Sequence, residues 1–113
     1  MMGEDVYHRI YRILMTVPKG KVTTYGAIAR AAGVHPRLVA AALRYNPLPI
    51  LIPCHRVVRA DGSLGGYSFG GPQVKRRLLE AEGVRFDWKG RVLRDFIIHD
   101  LFPIDKDLCV KLK

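Results

Sequence analysis

The sequence predicts a compact, mainly α-helical domain with one small β-hairpin and a helix-turn-helix, of winged-helix-like form. The chain has 113 residues, enough for one domain with a single modest core. Apolar residues recur at helical spacing in its first half, and a glycine-containing turn separates two short helical segments. An Asp-Gly turn signal at residues 59–63 follows a short apolar run. We expect residues 1–90 to form this domain and residues 91–113 to form a tail that packs on it.

The first predicted helix covers about residues 4–16 and ends before Pro18-Lys19-Gly20. Its apolar residues recur at helical spacing and form one buried stripe, which consists of Val6, Ile10, Ile13, Leu14 and Val17.

Two further helices form the predicted helix-turn-helix. Thr24 offers a capping hydroxyl to a helix over 25–32, which Gly33 ends. Pro36 suits the first position of the next helix, which runs to about residue 45 before Asn46-Pro47. This outline is typical of proteins that place the second helix in a nucleic-acid groove.

One face of that second helix is flat and carries a cation at each end. Helical spacing brings together Arg37, Ala40, Ala41 and Arg44. Val39, Ala42 and Leu43 point toward the core instead. A face of methyl groups between two arginines can lie close against a nucleic-acid groove.

The charge of the chain favours a polyanionic partner. The net charge is +9, and residues 6–60 contain nine Lys or Arg and no Asp or Glu. A block of one sign inside a folded domain indicates a nucleic-acid surface, although a solvated basic face is the alternative.

No apolar run is long enough for a membrane span, and the N-terminus lacks the layout of a signal peptide. With only two cysteines, Cys54 and Cys109, neither a disulfide framework nor a cysteine metal site is expected. We expect a cytoplasmic protein without a metal or cofactor.

The most informative stretch is the apolar run over residues 48–58, which we expect to be buried. Within it, the thiol of Cys54 stands beside the imidazole of His55 and the guanidinium of Arg56. Such neighbours favour the reactive thiolate, so we expect this thiol to ionise more readily than a free cysteine. The alternative is a cysteine that only fills the core.

The second half of the chain contains a glycine-rich loop at residues 65–71, which can bring backbone N–H groups near a ligand. Pro72 begins another helix, which Gly83 ends. Helical spacing puts Val74, Leu78, Leu79 and Ala81 inward, and Lys75, Arg76 and Arg77 largely outward. Residues 84–113 fit helix and strand templates about equally.

Pro53-Cys54-His55-Arg56-Val57, preceded by Asn46-Pro47 and followed by Gly66-Tyr67-Ser68, closely resembles the active-site region of the O6-alkylguanine-DNA alkyltransferases. These are the methylated-DNA–protein-cysteine methyltransferases. The resemblance covers about residues 5–90, which correspond to the C-terminal catalytic, DNA-binding domain of that family. Members usually carry a further N-terminal domain, which we expect this chain to lack.

The resemblance implies irreversible transfer of an alkyl group from guanine oxygen to Cys54, in a single turnover. It implies that His55 accepts the thiol proton through one water and that Glu82 orients His55. Asn46 would brace the active-site turn, and Tyr25 would donate a proton to the departing guanine.

The resemblance also implies substrate and DNA contacts. Tyr67 and Ser68 would hold the extruded base and Lys75 would support the pocket, while Phe69 is an extra residue relative to the family pattern. Arg37 would intercalate in place of the flipped base, with the face of Ala40 and Ala41 in the minor groove. Further candidates for DNA contact are Thr24, Arg44 and Arg56. The expected partner is double-stranded DNA with O6-alkylguanine lesions, bound by a monomer that does not enter a membrane.

Two other functions stay open. Some relatives in this family bind damaged DNA without catalysis, but they replace the acceptor cysteine, which is intact here. A helix-turn-helix regulator would need dimer symmetry and polar base-reading side chains where this helix has alanines.

Overall fold

A computed structural model describes residues 5–101 of the chain. Four helices are present in this range: α1 (Val6–Leu14), α2 (Tyr25–Ala32), α3 (Pro36–Arg44) and α4 (Gly71–Ala81). Three short strands accompany them: β1 (Val22–Thr24), β2 (Val57–Val58) and β3 (Ile97–Ile98). Single 3₁₀ turns, Cys54–Arg56 and Arg94–Phe96, lead into β2 and β3. The mainly helical fold with a helix-turn-helix is confirmed.

The signals at the helix ends act as predicted. The Thr24 hydroxyl accepts a hydrogen bond from the Ala27 N–H and caps α2. Gly33 ends that helix with φ 72°, a left-handed conformation that glycine adopts without steric cost. Pro36 occupies the first turn of α3, whose N-terminus is capped by the His35 ring. Local chemistry therefore sets both ends of the turn between α2 and α3.

The sheet differs from the predicted β-hairpin. Its order is β2-β1-β3, and β1 pairs in parallel with both neighbours. The predicted turn is present, since the Gly62 N–H donates to the Arg59 carbonyl and the Arg59 N–H to that of Ser63. The residues after this turn do not form a strand with β2, because β2 instead pairs with β1, more than thirty residues earlier in the chain.

Two apolar clusters hold the described residues together. The larger joins α1, α2 and α3 to Ile52, Cys54 and Val57, and the Tyr11 hydroxyl donates to the Ala42 carbonyl at 2.6 Å. Val39, Ala42 and Leu43 are buried in it, as predicted. The smaller cluster contains Val22, Val58, Leu79, Val84 and Val92.

The segment after Gly83 adds to this smaller cluster. Val84 and Val92 are buried and β3 extends the sheet, so residues 84–98 form short extended pieces and turns. The division of the chain at residue 90 stays a prediction, and the predicted tail beyond residue 101, with Phe102 and Cys109, lies outside the described residues.

The prediction that the whole run 48–58 is buried is wrong for its first part. Leu48, Ile50 and Leu51 are exposed by 52%, 55% and 72%, whereas burial begins at Ile52. The reason is a turn over residues 46–52 that projects these side chains into solvent. Between residues 5 and 101, no helix is long and apolar enough to cross a membrane.

Candidate active site

The turn that leads to Cys54 is held by the buried side chain of Asn46. Its Nδ2 donates to the Ile52 carbonyl at 2.8 Å, and its Oδ1 accepts from the Leu48 N–H at 2.9 Å. Ile50, between these two anchors, has φ 78°, which is strained for a β-branched residue. The Cys54 N–H then donates to the Ile52 carbonyl at 2.7 Å. The Asn46 side chain thus joins the two ends of the turn, and its role in the reaction stays a prediction.

A cavity of about 360 Å³ opens at Cys54, within the size range of small-ligand sites. Its lining residues come from α2, α3, the 3₁₀ turn and the glycine-rich loop. They are Tyr25, Ala40, Leu43, Arg44, Cys54, Gly66, Tyr67 and Ser68. The cavity therefore joins the thiol to the helix predicted to lie on nucleic acid.

Leu43 and Gly66 are the lining residues that we did not predict. We predicted Leu43 only as a core residue. It lies three residues after Ala40, so the two side chains are neighbours on the helix surface and both line the cavity. Gly66 belongs to the loop motif with Tyr67 and Ser68, so the motif itself is the signal that could have found it.

Behind Cys54, His55 and Glu82 form a hydrogen-bonded pair. His55 is fully buried, and its Nε2 lies 3.0 Å from Oε2 of Glu82. A carboxylate can only accept, so Nε2 carries the hydrogen and Nδ1 has a free lone pair. Nδ1 is buried and has no hydrogen-bond partner among the described residues. The ring therefore presents a bare acceptor on the side away from Glu82.

Arg56 does not have the DNA-facing position that we predicted. Its Nε and NH2 donate to the two Glu82 oxygens at 3.0 and 2.8 Å, and its NH1 donates to the Val17 carbonyl at 2.9 Å. The bidentate geometry fixes the Glu82 carboxylate, and the guanidinium is largely buried. Arg56 is directed at Glu82 rather than at a phosphate.

Thr24 has the capping role that the sequence predicts. It is buried, and its hydroxyl is engaged in capping α2. This side chain caps the helix that begins at Tyr25, and contact of Thr24 with DNA stays a prediction.

Electrostatics at the site favour a neutral thiol and a neutral imidazole before reaction. Burial raises the pKa of the Cys54 thiol, against the smaller lowering effects of Asn46 and Lys75. The expectation of a readily ionised thiol is therefore wrong for the free protein. Burial also lowers the pKa of His55, more than its bond to Glu82 raises it. Burial alone would raise the pKa of Glu82, but hydrogen bonds from Arg56 and His55 outweigh it and lower that pKa.

Lys75 points inward rather than outward from α4. The residue is 1% exposed, and its Nζ donates to the backbone carbonyls of Leu64 and Gly66. Burial lowers its pKa to about 8, although the nearby Cys54 thiolate would raise it. The amine anchors the start of the loop that carries Tyr67 and Ser68, and support of a bound base by Lys75 stays a prediction.

The two pocket tyrosines are partly buried. Burial raises the pKa of Tyr25, against the opposing charge of Arg59, and also raises the pKa of Tyr67. Both phenols therefore keep their protons at neutral pH. Tyr67 packs edge-on against Phe69, with ring centroids 5.6 Å apart.

The remaining predicted DNA contacts lie on α3. Arg37 and Arg44 are exposed and Ala40 and Ala41 are half-buried, so the predicted face is open to a partner. Arg44 and Ala40 also line the cavity, whereas Arg37 lies outside it. Among residues 5–101, no cluster of His, Cys, Asp or Glu is arranged to hold a metal ion.

Residues 5–84 match the family model described as the DNA binding domain of 6-O-methylguanine DNA methyltransferase. A methylated-DNA–protein-cysteine methyltransferase of Methanothermobacter thermautotrophicus is 48% identical over 83 residues, covering 74% of this chain and 47% of the relative. Mycobacterium tuberculosis OGT, solved in complex with DNA, is 43% identical with a TM-score of 0.66, over 72% of this chain and 51% of that one.

A third comparison covers more of the chain. S. pombe Atl1, solved in complex with damaged DNA containing O6-carboxymethylguanine, is 28% identical with a TM-score of 0.71. This match covers 87% of the chain and 98% of Atl1. By contrast, the chain spans about half the length of the first curated relatives it matches, 47% and 60%. On the match of residues 5–84, the chain belongs to the 6-O-methylguanine DNA methyltransferase family, through its DNA-binding domain.

Proposed function

We propose that this chain is a DNA repair protein that transfers an alkyl group from O6-alkylguanine to its own Cys54. The observation that carries the proposal is the cavity in which Cys54 shares walls with Tyr67, Ser68 and the α3 residue Arg44. A nucleophile, a base-sized space and a basic helix meet there. The catalytic role of this domain and each residue role below are part of the proposal.

The reaction begins with the base outside the helix. An oxygen inside the duplex is unreachable, so the guanine must be flipped into the cavity at a cost of a few kcal/mol. Exposed Arg37, at the start of α3, fills the space that the base leaves. The alanine face of α3 allows close approach to the minor groove without reading sequence.

The chemical step is a displacement at the alkyl carbon. The Cys54 sulfur forms a bond to that carbon, while the bond between the carbon and the guanine oxygen breaks. The thiol proton passes through one water to Nδ1 of His55, and Glu82 stabilises the imidazolium that forms. The electron pair leaves with guanine, which takes a proton from the Tyr25 hydroxyl. Tyr25 then regains a proton from His55 through solvent, so the protons balance.

The directions in which burial moves the two pKa values support this order of events. A raised pKa keeps the Cys54 thiol protonated until substrate arrives, and a lowered pKa keeps His55 free to act as the base. A thioether is a poor leaving group, and the cavity lining offers no second thiol. The product therefore stays on the protein, which is consumed.

Stoichiometry tests the proposal. With excess duplex carrying a labelled O6-methyl group, transfer should stop at one methyl per chain. Repair of many lesions per chain would contradict the single turnover, and complete absence of transfer would contradict the activity. Cys54→Ala should bind the same duplex within about twofold, since the side chain lost is small and lies in the cavity, apart from the α3 face that approaches the duplex.

A second candidate is binding of damaged DNA without transfer. It is favoured by the match to S. pombe Atl1, which this chain covers over 98% of its length. In that case the lesion duplex would be bound more tightly than undamaged DNA but would keep its methyl group.

A cytoplasmic location and a monomeric state are further parts of the proposal, and gel filtration tests the monomeric state.

A further inference from the structure

Residues 86–92 form a tight hairpin that the proposed alkyl transfer does not use. Phe86 and Val92 pair as an antiparallel bridge, and the Asp87 N–H donates to the Arg91 carbonyl at 2.8 Å. The Asp87 carboxylate accepts from the N–H groups of Lys89 and Arg91 at 2.8 and 3.0 Å. These bonds make the turn a defined structure.

The 86–92 hairpin is anchored to the body of the domain. The Val92 N–H donates to the Gly62 carbonyl at 2.9 Å, and the Val92 side chain is buried in the smaller cluster. The Arg76 guanidinium of α4 lies 4.4 Å from the centre of the Phe86 ring. These contacts hold the hairpin in a fixed position on the domain, with its tip pointing away.

Trp88 stands at this tip and is 88% exposed. Tryptophan has the largest apolar surface of any side chain, and it is highly buried on average. Here the ring contacts its neighbour Lys89, whose Nζ lies 5.0 Å from the ring centre. Because packing among residues 5–101 leaves this ring exposed, a partner is the natural explanation.

The surroundings of Trp88 are basic. Residues 85–94 contain four cations and a single acid, Asp87, whose carboxylate is used inside the turn and faces Arg91 at 3.4 Å. The cations are Arg85, Lys89, Arg91 and Arg94. An aromatic ring among cations is the arrangement that binds unpaired nucleic acid, in which bases stack on the ring and phosphates meet the charges.

We propose that the 86–92 hairpin binds single-stranded nucleic acid, with Trp88 stacking on an unpaired base. Bases within a duplex are already stacked, so the ring has a partner only where pairing is broken or absent. The turn at residues 59–63, on which the hairpin rests, continues along the chain to Gly65, beside the cavity residue Tyr25. A Cβ at Gly65 would lie 3.4 Å from the Tyr25 hydroxyl and 3.5 Å from Nε of Arg59.

The experiment uses Trp88 as its own reporter, because it is the chain's single tryptophan. Unmodified DNA is titrated into the full chain in three forms: a blunt duplex, the same duplex with a single-stranded extension, and the single strand alone. The extended duplex and the single strand should quench Trp88 emission, whereas the blunt duplex should not. The DNA carries no lesion, so the outcome is independent of alkyl transfer and of the proposed function.

Variants complete the test. Variants at Trp88 lack this reporter, so their binding is followed by the fluorescence anisotropy of a labelled single strand. Trp88→Ala should weaken binding of the single strand by about fivefold or more, since stacking on one base contributes at least about this factor. Trp88→Phe should restore much of the binding, and Met15→Ala, an exposed apolar change outside the hairpin, should have no effect. DNA that saturates the protein without changing Trp88 emission would overturn the proposal and point to a protein partner. Equal quenching by the blunt duplex would overturn it also, since the hairpin would then contact paired DNA.

Discussion

Nε2 of His55 and Oε2 of Glu82 lie 3.0 Å apart at the back of the cavity, and Arg56 binds both oxygens of the same carboxylate. The 3₁₀ turn Cys54–Arg56 supplies one side of this contact and the end of α4 supplies the other. Because Arg56 holds the carboxylate in two places, Glu82 can orient the imidazole without moving. Glu82 therefore links the two residues that follow Cys54, although it lies 27 residues after His55 and 26 after Arg56.

Glu82→Gln should lower the free energy of unfolding by about 2–3 kcal/mol, because it leaves the largely buried Arg56 charge without its partner. Alkyl transfer should slow as well, since the imidazolium loses its counter-charge. Urea unfolding and single-turnover kinetics measure the two effects. Glu80→Gln is the matched control, and loss of its exposed ion pair with Arg76 should cost less than about 0.5 kcal/mol.

The same pair predicts how stability depends on pH. The pKa of Glu82 is lowered on folding although burial opposes this, so its contribution is complete above the unfolded value of about 4.3. It is lost as the pH falls through the lower folded value. Unfolding free energies should therefore fall more steeply on acidification in the unaltered chain than in Glu82→Gln. Parallel curves would contradict a stabilising carboxylate.

The Cys54 thiol should react slowly with a small alkylating reagent in the absence of DNA. Burial raises its pKa, so the rate of modification by iodoacetamide should rise with a midpoint above the free-thiol value of about 8.5. Repair of a lesion should stay fast at pH 7, because His55 removes the proton during attack. The measurement is made in a Cys109→Ser background, where Cys54 is the only thiol. A midpoint near 7 would mean that the thiol is ionised before substrate binds.

Arg37→Ala should slow repair in duplex DNA by about tenfold or more while leaving attack on a free base analogue unchanged, since only the duplex requires base extrusion. The side chain is exposed, so stability should change by less than about 0.5 kcal/mol. Lys19→Ala, at an exposed position in the turn after α1, is the control for loss of one positive charge. An equal loss of rate with both substrates would assign Arg37 to the cavity instead.

Ile50→Gly should be neutral or should stabilise the chain, because Ile50 adopts φ 78° and a left-handed residue other than glycine is strained by about 1–2 kcal/mol. Leu51→Gly is the control, because Leu51 is also exposed but does not have a positive φ. It should destabilise the chain by about 1 kcal/mol. If Ile50→Gly also slows alkyl transfer, the strain contributes to holding Cys54 in place.

Sequence reasoning located the helices because their ends carry local signals, such as the Thr24 hydroxyl, Gly33 and Pro36. It missed the parallel sheet, since strands of two or three residues are selected by partners far along the chain. The helical pattern put Lys75 outward, because its carbonyl partners belong to a loop whose path the pattern does not reveal. For the same reason the local pattern did not predict that Arg56 binds Glu82, because this carboxylate comes from a distant part of the chain.

The site was more predictable than the sheet. Cys54, Tyr67 and Ser68 belong to motifs that resemble a known family, and they do meet at one cavity. What the motifs could not provide is the direction in which burial moves the thiol pKa, because that depends on how deeply the fold covers the sulfur.

The mass of the peptide that contains Cys54, after incubation with duplex DNA carrying 6-O-methylguanine, tests the central claim most directly. The predicted result is one added methyl group on Cys54, with loss of the methyl group from the DNA in equal amount. An unmodified Cys54 peptide, in a sample whose protein is saturated with the lesion duplex, would contradict alkyl transfer by this chain.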